Sequence, residues 1–363
     1  MLQYERMPED FQGSVLVLVL YDVCDEISLT ELRPLIGGKS GAPAFKHRTP
    51  EYVGFQHAPV VEPVEAITLE TGESFETTIQ YYDYGVIGAL LQLSYSGPWA
   101  RLAAVASRWT SSPFFNELTY KLVRQRVENL RPALRNAYKS WLSEEYYIFH
   151  LHASSDYSAQ DLLRDHGQEI SQLIDGETAI LSVNERDEIL QASTSYYPND
   201  LTVVGWNAAF IYDTEAGAQS TIRILEYANS QLLQFRHYDE LLTQELSQGY
   251  RFLESRRGLR ARWRMRPGAS RLRAVLLEVA ELTERTNNAL KFVGDMFSAR
   301  LYRLSANKIG VGEFQALVQE KMKTAGDLYD FMIEQFNQSR GFLLESIVVV
   351  ILMIELVFLF RGK

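Results

Sequence analysis

Cysteine is nearly absent from this 363-residue chain, and its scarcity excludes several classes of protein at once. The single cysteine, Cys24, supports neither an intramolecular disulfide framework nor a zinc site built from clustered cysteines. Glycine and proline, at 22 and 11 residues, stay at ordinary levels, which excludes collagen-like and low-complexity chains. The composition therefore predicts a folded protein of one large or two ordinary domains in a reducing compartment.

Positive charge is scarce over most of the chain but concentrated in one window. The formal net charge of −10 argues against a globally basic nucleic-acid-binding protein. The window Tyr250–Val275 holds nine arginines and one acid, so it carries +8 and leaves −18 on the remaining residues. Within it lies RRGLRARWRMRPGASRLR, Arg256–Arg273, which we call the arginine-rich turn. Its arginines are suited to bind phosphate groups.

A long apolar run lies at the C-terminal end of the sequence. Gly341–Phe360 reads GFLLESIVVVILMIELVFLF, and twenty helical residues rise about 30 Å, the thickness of a bilayer core. Arg340 precedes the run, and Arg361 and Lys363 follow it, as interfacial anchors do. The sequence predicts a transmembrane helix over 341–360 and a short tail after it. The expected protein is tail-anchored and single-pass, with its soluble domain on the cytoplasmic or mitochondrial matrix side.

Two glutamates interrupt the apolar run. Glu345 lies about one turn from its start and reaches the membrane interface. Glu355 lies about 7 Å beyond the midpoint, where a carboxylate costs on the order of 2–3 kcal/mol unless it is protonated or paired. Because a lone helix offers Glu355 no partner, the sequence predicts contact with helices of other copies or of another protein.

Residues 1–215 have the pattern of a mixed α+β domain. Runs of strands with scattered helices favour this class over a regular βαβ alternation. The candidate strands carry the aromatic and β-branched residues that strands favour, and they are Ser14–Val23, Val60–Leu69, Phe75–Leu93, Tyr146–Ala153, Ile189–Thr194 and Leu201–Asp213. The candidate helices are Leu29–Ile36, Trp99–Trp109, Phe114–Tyr138 and Ala159–Leu173.

Residues 216–340 change to a helical period. The pattern predicts one helix over Ala218–Glu254, a second over Ala269–Leu304, and a third that begins near Glu313 and continues into the membrane span. The second helix carries a heptad-like seam. The seam residues predicted to join copies of the chain are Leu272, Val279, Leu290, Val293 and Phe297. The expected architecture is an α+β soluble domain followed by a long antiparallel, coiled-coil-like α-helical hairpin and one C-terminal transmembrane helix.

The length of the predicted hairpin places the arginine-rich turn at the membrane surface. The short turn Asn307–Gly312 makes the second and third helices antiparallel, which sets Ala269 opposite Leu344–Val348 at the membrane entry. The residues expected to contact anionic lipid or RNA are Arg256, Arg257, Arg260, Arg262, Trp263, Arg264, Arg266, Arg271 and Arg273. Three interpretations stay open: contact with anionic lipid, contact with RNA or a ribosome, and a solvated or intersubunit salt-bridged turn.

No motif brings together residues for catalysis or for holding a cofactor. The sequence contains no nucleophile elbow and no pair of carboxylates at a spacing that indicates acid–base catalysis. His150 and His152 alternate on a predicted strand and so share one face, but spacing fixes no third metal ligand. We therefore expect no cofactor and no metal, and we identify no small-molecule substrate.

Five stretches resemble a single family, in the same order along the chain. LLESIVVVILMIELVF, Leu343–Phe358, is similar to the C-terminus of the required-for-meiotic-nuclear-division family, also called domain of unknown function 155. Glu345 and Glu355 match the two acids of that pattern. The other similar stretches are LVLYDVCDEISLTELRPLIG, TTIQYYDYGVIGALLQL, YYPNDLTVVGWNAAFIYD and LLQFRHYDELL. The arginine-rich turn departs from the family pattern.

The resemblance implies an integral membrane protein with a soluble α+β domain and a C-terminal coiled hairpin. Members of the family include a homo-oligomeric protein of the mitochondrial inner membrane, which supports mitochondrial translation by holding ribosomes near the membrane. No catalytic residues are established for the family, so the resemblance assigns none to this chain.

The sequence leads to three hypotheses of function. The first is a non-enzymatic, tail-anchored, homo-oligomeric scaffold at the membrane surface, with Glu355 facing the assembly axis. The second is a membrane tether for RNA or ribosomes that works through the arginine-rich turn. The third is an enzyme in the α+β domain, for which the sequence offers no constellation of residues.

Overall fold

The apolar run near the N-terminus becomes the centre of a sheet that is covered on both faces. In the computed structural model, the strand Phe11–Asp22 contains this run, and its nine residues from Ser14 onward are all buried. A strand that is buried on both faces has a continuous apolar sequence rather than an alternating one. The fold is therefore built outward from this strand.

The structure describes residues 11–36, 53–55, 58–69, 72–110, 113–154, 157–254, 265–288, 290–292 and 296–361. The strands are β1 Phe11–Asp22, β2 Glu26–Ile27, β3 Val53–Phe55, β4 Val60–Thr68, β5 Ser74–Tyr81, β6 Val86–Gly97, β7 Leu134–Arg135, β8 Ser143–His152, β9 Ser193–Thr194, β10 Leu201–Val204, β11 Ala208–Asp213 and β12 Leu290–Phe292. The helices are α1 Leu29–Leu35, α2 Trp99–Thr110, α3 Phe114–Asn129, α4 Ala159–Asp175, α5 Val183–Gln191, α6 Glu215–Glu254, α7 Met265–Asn288, α8 Met296–Ile309 and α9 Val311–Arg361.

These elements form two units. The first contains residues 1–235 and 284–313, and the second contains residues 236–283 and 314–363. The first unit holds an eight-stranded sheet in the order β4-β5-β6-β1-β8-β11-β10-β9. Its strand pairs are antiparallel except for β8 and β11, which are parallel. The mixed α+β domain predicted from the sequence is confirmed.

One face of the sheet is covered by α2, α3 and α4. Their apolar side chains share a single buried core with alternate residues of β1, β5, β8 and β11. The ring centroids of Phe75 on β5 and Phe115 on α3 lie 5.5 Å apart, edge to face. The Tyr147 hydroxyl on β8 donates to the backbone oxygen of Trp109 at 2.8 Å, so even a core tyrosine satisfies its polar atom.

The N-terminal part of α6 covers the opposite face. Tyr84 and Ser230 pair their hydroxyls at 2.8 Å, and Gln80 Nε2 donates to Glu226 Oε1 at 3.0 Å. Helix α8 packs on the outer side of α6, where the Tyr302 hydroxyl bonds the side-chain oxygen of Gln231. Because α6 lies between the sheet and α8, nearly every side chain from Thr221 to Phe235 is buried.

The second unit is made of the C-terminal part of α6, most of α7, and α9. Lys321 Nζ on α9 lies 2.6 Å from Asp239 Oδ1 on α6, and Arg271 on α7 lies 2.5 Å from Glu245 on α6. The buried stripe of α9 comprises Val318, Ala325, Leu328, Met332 and Phe336. The long C-terminal helix predicted from the sequence is confirmed, and it packs here within a group of three helices.

The second predicted helix is wrong as a continuous element. The structure has α7 ending at Asn288 and α8 beginning at Met296, with β12 between them. β12 pairs antiparallel with β3, so residues from a distant part of the chain supply the hydrogen bonds that a helix would otherwise make. The Asn287–Asn288 pair is a weak helix former, which favours an end at this point.

Three further predicted boundaries also differ. The strand predicted over Phe75–Leu93 is the hairpin of β5 and β6, because Gly85 adopts a φ of 88° in the turn between them. The helix predicted over Phe114–Tyr138 ends at Asn129, ahead of a 3-10 turn that contains Pro132. Most of the strand predicted over Ile189–Thr194 belongs to the end of α5 and its C-cap.

Replacing Gly85 by alanine tests how closely this hairpin turn packs. A Cβ at Gly85 would lie 1.7 Å from the backbone oxygen of Cys24, whereas Gly72 has nearly the same φ, 87°, and no atom within 4 Å. Gly72→Ala should cost about 1–2 kcal/mol through backbone strain alone. Gly85→Ala should cost at least about 2 kcal/mol more, because backbone must move. Thermal unfolding of the purified variants measures both, and equal losses would contradict the packing described.

Candidate functional site

The end of α9 is an apolar surface that no part of the described protein covers. From Phe342 to Phe360 its large apolar side chains are 38–77% exposed. Among the described residues, α9 is the one helix whose length and composition suffice to cross a membrane, and none of its most apolar window is buried. The same helix is amphipathic as far as Phe336. The surface of α9 therefore changes from amphipathic to apolar within about one to two helical turns.

The predicted interfacial acid, Glu345, and the predicted intramembrane acid, Glu355, both lie on this exposed surface. Glu345 and Glu355 are exposed, and no hydrogen bond or ion pair is present at either within the described part of the chain. Ten residues of helix separate them, which rotates their side chains by roughly 80° around the axis. They therefore share one side of α9 without lying directly above each other.

The first half of the arginine-rich turn lies outside the described residues. Arg256, Arg257, Arg260, Arg262, Trp263 and Arg264 all fall there. Arg266 lies in the first turn of α7. Arg273 is exposed, while Arg271 forms the ion pair with Glu245, whose side chain is only 7% exposed. The salt-bridge interpretation thus describes Arg271, although within one chain rather than between subunits.

The predicted position of the start of α7 along α9 is wrong. Gly268 faces Met332, because a Cβ at Gly268 would lie 3.0 Å from Met332 Cε. This contact is twelve residues before Leu344, a difference of about 18 Å along the helix. The prediction counted residues along one continuous helix from Ala269 to Leu304. Because the chain leaves the helix after Asn288, that count no longer gives the position of α7 along α9. The start of α7 still lies about 13 Å before Gly341.

The predicted oligomer seam is divided among three elements. Leu272 and Val279 lie on α7 and are buried within the second unit. Leu290 belongs to β12, and Val293 lies outside the described residues. Phe297 lies on α8 in the first unit, with its ring 5.2 Å from that of Tyr196. The four seam residues that the structure describes do not lie together on one helix face.

The N-terminal half of α6 carries a buried polar network that the sequence did not reveal. Gln80 joins Glu226 to Tyr82, whose hydroxyl donates to Gln80 Oε1 at 2.5 Å. Burial raises the pKa of Glu226 to about 7, and the donor Gln80 and the charge of Arg223 lower it by smaller amounts. Glu226 is therefore partly protonated at neutral pH.

A cavity of about 360 Å³ lies in the first unit, beside the first turns of α6. This volume is at the lower end of the range of small-molecule pockets, about 300–1,000 Å³. Its wall combines a loop before β10, the ends of β10 and β11, the start of α6, and α8. The lining residues are Tyr196, Tyr197, Asn199, Asp200, Thr202, Asp213, Thr214, Gly217, Ser220, Thr221, Ile224, Phe297, Ser298 and Leu301.

Two aspartates organise the backbone around this cavity. Asp200 accepts hydrogen bonds from the backbone N–H groups of Tyr196 at 2.7 Å and Tyr197 at 2.6 Å. Asp213 Oδ1 accepts from the N–H of Thr214 at 2.6 Å. Thr214 caps α6, since its hydroxyl accepts from the N–H of Gly217 at 3.1 Å. A sequence signal for the cap was present in Asp213–Thr214, but none linked it to the loop or to α8.

The two histidines of β8 lie near the same end of the sheet. His150 is buried, and its Nε2 lies 3.1 Å from the backbone oxygen of Asp213. Burial lowers the pKa of His150 to about 4, so its ring is neutral at physiological pH. His152 is exposed, with its ring 5.1 Å from that of His150. Their shared face is therefore as the sequence predicts.

Comparison with known proteins identifies the family of the first unit. Residues 12–219 match the family described as "Uncharacterized protein MJ0711, N-terminal domain", and this stretch exceeds half of the chain. The chain belongs to this family. Uncharacterized protein MJ0711 of Methanocaldococcus jannaschii is 21% identical over 208 residues, which are 57% of this chain and 64% of the relative. The chain thus spans a little less than two thirds of that relative. No solved structure matches.

The residues that match the family include some parts of the candidate sites and exclude others. It contains the sheet, the loop with Asp200, and the start of α6 as far as Gln219. Thr221 and Phe297 of the cavity lie beyond it, as does the whole of α9. Membership in the MJ0711 family therefore accounts for the α+β domain and leaves the apolar helix to be explained by its own physical properties.

The pH dependence of stability tests the state of Glu226. Its folded pKa of about 7 exceeds the ordinary 4.5, so the folded protein retains a proton that the unfolded chain releases between these values. Stability should fall as pH rises from 5 to 8, by about 1–3 kcal/mol from this group. Glu226→Gln should raise the melting temperature at pH 8 and change it little at pH 5.

An exposed glutamate on the same helix provides the control. Glu240→Gln should shift the melting temperature equally little at both values of pH. A Glu226→Gln variant that melts at or below the wild-type temperature at pH 8 would contradict the assignment of a protonated, buried carboxyl group.

Proposed function

We propose that this protein is a non-enzymatic scaffold that a single transmembrane helix anchors in a membrane and that self-associates through that helix. The observation that carries the proposal is the abrupt change along α9. The helix packs an amphipathic face as far as Phe336 and then exposes apolar side chains on every side from Phe342 to Phe360.

The energetics of this segment favour a bilayer over water. Residues 341–360 contain fifteen Leu, Ile, Phe and Val side chains. Each contributes about −0.3 to −0.6 kcal/mol to insertion, and a carboxylate near the centre costs on the order of 2–3 kcal/mol. The apolar gain of roughly 5–9 kcal/mol therefore outweighs the cost of Glu355. An exposed apolar surface of this extent also exceeds what monomeric soluble proteins carry.

Glu355 supports self-association as the second element of the proposal. A carboxyl group at this depth is stabilised by a proton or by a polar partner, and the described residues contain one helix long and apolar enough to cross a membrane. Copies of α9 placed side by side supply such a partner, because protonated carboxyl groups donate and accept hydrogen bonds to one another. We propose that Glu355 faces the centre of this assembly.

The arginine-rich turn supports contact with anionic lipid and sets the orientation. The start of α7 lies about 13 Å before Gly341 along α9, within reach of headgroups for long arginine side chains. Arginines beside a span are worth about 1 kcal/mol each at an anionic surface. They also mark the cytoplasmic side, or the matrix side in an organelle. The resemblance to the required-for-meiotic-nuclear-division family supports the alternative, a tether for RNA or ribosomes.

Membrane extraction tests the anchor. The full chain should stay with the membrane pellet at alkaline pH, because its apolar helix is inserted rather than electrostatically bound. Changing Val349 and Leu352 to lysine places two charges at the centre of the segment and should release most of the protein. The same two lysines at exposed Gln319 and Gln338 should leave it in the pellet. Release of the wild-type protein would contradict membrane insertion.

Mass measurement in detergent tests the role of Glu355. The wild-type protein should run as an oligomer, and Glu355→Leu should shift it toward monomer or lower its dissociation temperature, since the polar contact between helices is lost. Glu345→Leu is the matched control near the interface and should have a smaller effect. A monomeric wild-type protein, or equal effects of the two changes, would contradict self-association through Glu355.

A further inference from the structure

The charged residues that line the cavity beside α6 restrict the charge of the ligands it can bind. Its lining includes the carboxylates of Asp200 and Asp213, and among its described residues it includes no lysine, arginine or histidine. An anionic ligand would meet two negative charges in the lining, and the guanidinium of Arg300 lies outside that lining, 5.4 Å over the ring of Phe297. The ligands that fit this lining are therefore cationic or neutral.

Asp213 is the carboxylate that gains most from a cation. Its Oδ1 accepts the N–H of Thr214, and the whole carboxylate lies against Gly217 at the start of α6, where an added Cβ would be 2.2 Å from Oδ2 and 2.5 Å from Oδ1. Burial raises the pKa of Asp213, and the nearby charge of Asp200 raises it further. Both effects destabilise the ionised form, and a positive charge in the cavity offsets both.

Two threonine side chains add hydroxyl groups to the cavity wall. Thr202 on β10 and Thr221 on α6 are only 6% and 5% exposed, and both line the cavity. Threonine hydroxyls both donate and accept hydrogen bonds, so this part of the wall is suited to a ligand with hydrogen-bonding groups.

The mouth of the cavity is aromatic. Tyr196 and Tyr197 are 61% and 62% exposed, although their rings lie edge to face at 4.7 Å. Phe297 lies against Tyr196 from the side of α8. Aromatic ring faces attract organic cations and also cover their carbon chains. Exposed tyrosines at the rim of a polar cavity are thus suited to an alkyl chain that carries a positive charge.

We infer that this cavity is a binding site for a small alkylammonium compound. The ammonium group donates hydrogen bonds to Asp213 and to the hydroxyls of Thr202 and Thr221, and the alkyl chain lies against Tyr196 and Phe297. A neutral polyol can pair with the hydroxyls but leaves the partly buried carboxylate of Asp213 uncompensated. The cation therefore pairs with more of the polar groups in the cavity wall than a neutral compound of the same size does.

Calorimetric titration of the full-length protein in lipid nanodiscs tests this inference. The probe is 1,4-diaminobutane, and 1,4-butanediol of the same length is its neutral counterpart. The diamine should bind saturably with a stoichiometry of one and at least about tenfold more tightly than the diol, as expected for charge-assisted hydrogen bonds. Asp213→Asn keeps the shape of the side chain and should weaken diamine binding about tenfold or more.

Two variants make the test specific to the cavity. Thr221→Val replaces the hydroxyl with a methyl group and should weaken binding several-fold while near-ultraviolet circular dichroism shows the fold intact. Asp175→Asn removes an exposed charge at the end of α4 and should leave binding unchanged. Equal binding of diol and diamine, no saturable binding of the diamine, or equal weakening by Asp213→Asn and Asp175→Asn would each overturn the inference.

Discussion

The uninterrupted hydrogen-bonded backbone of α9 is the constraint on which the rest of this account depends. The helix runs from Val311 to Arg361 and contains both the packed and the exposed parts. In a bilayer every backbone polar group must be satisfied within the segment, and a straight helix meets that requirement without partners. The side chains along the helix then determine which part packs against protein and which part lies in the bilayer. Those up to Phe336 pack on one face only, whereas from Phe342 to Phe360 the exposed surface is apolar apart from Glu345, Ser346 and Glu355.

The first unit is organised around a different requirement, the burial of both faces of a sheet. One face is conventional, with helices α2 to α4 packing apolar side chains against it. The other face meets α6 through polar side chains, and two pairs cross the interface: Gln80 with Glu226 and Tyr84 with Ser230. A buried polar network is favourable only when its members are satisfied, so the contact fixes the position of α6 closely. The start of α6 forms part of the cavity wall, so fixing the position of this helix also fixes that part of the wall.

The sequence was most informative where a pattern is local. Strand β1, helix α6 and the apolar segment were predicted because each is a long run with a single period or none. The break after Asn288 was missed because its cause, the pairing of β12 with β3, joins residues more than two hundred positions apart. The cavity was missed for the same reason. Thr202, Thr221 and Phe297 belong to three elements, and no spacing along the chain indicates that they meet.

The most direct test of the central claim is the depth of α9 in a bilayer, measured with spin labels. Single cysteines from Leu344 to Phe358 are labelled in liposomes, and native Cys24 stays unlabelled because it is buried and its thiol pKa is raised to about 12. The account predicts that accessibility to oxygen rises toward the middle of the segment while accessibility to a water-soluble nickel complex falls. Uniformly high access to nickel, or uniformly low access to both reagents, would contradict a membrane-spanning helix.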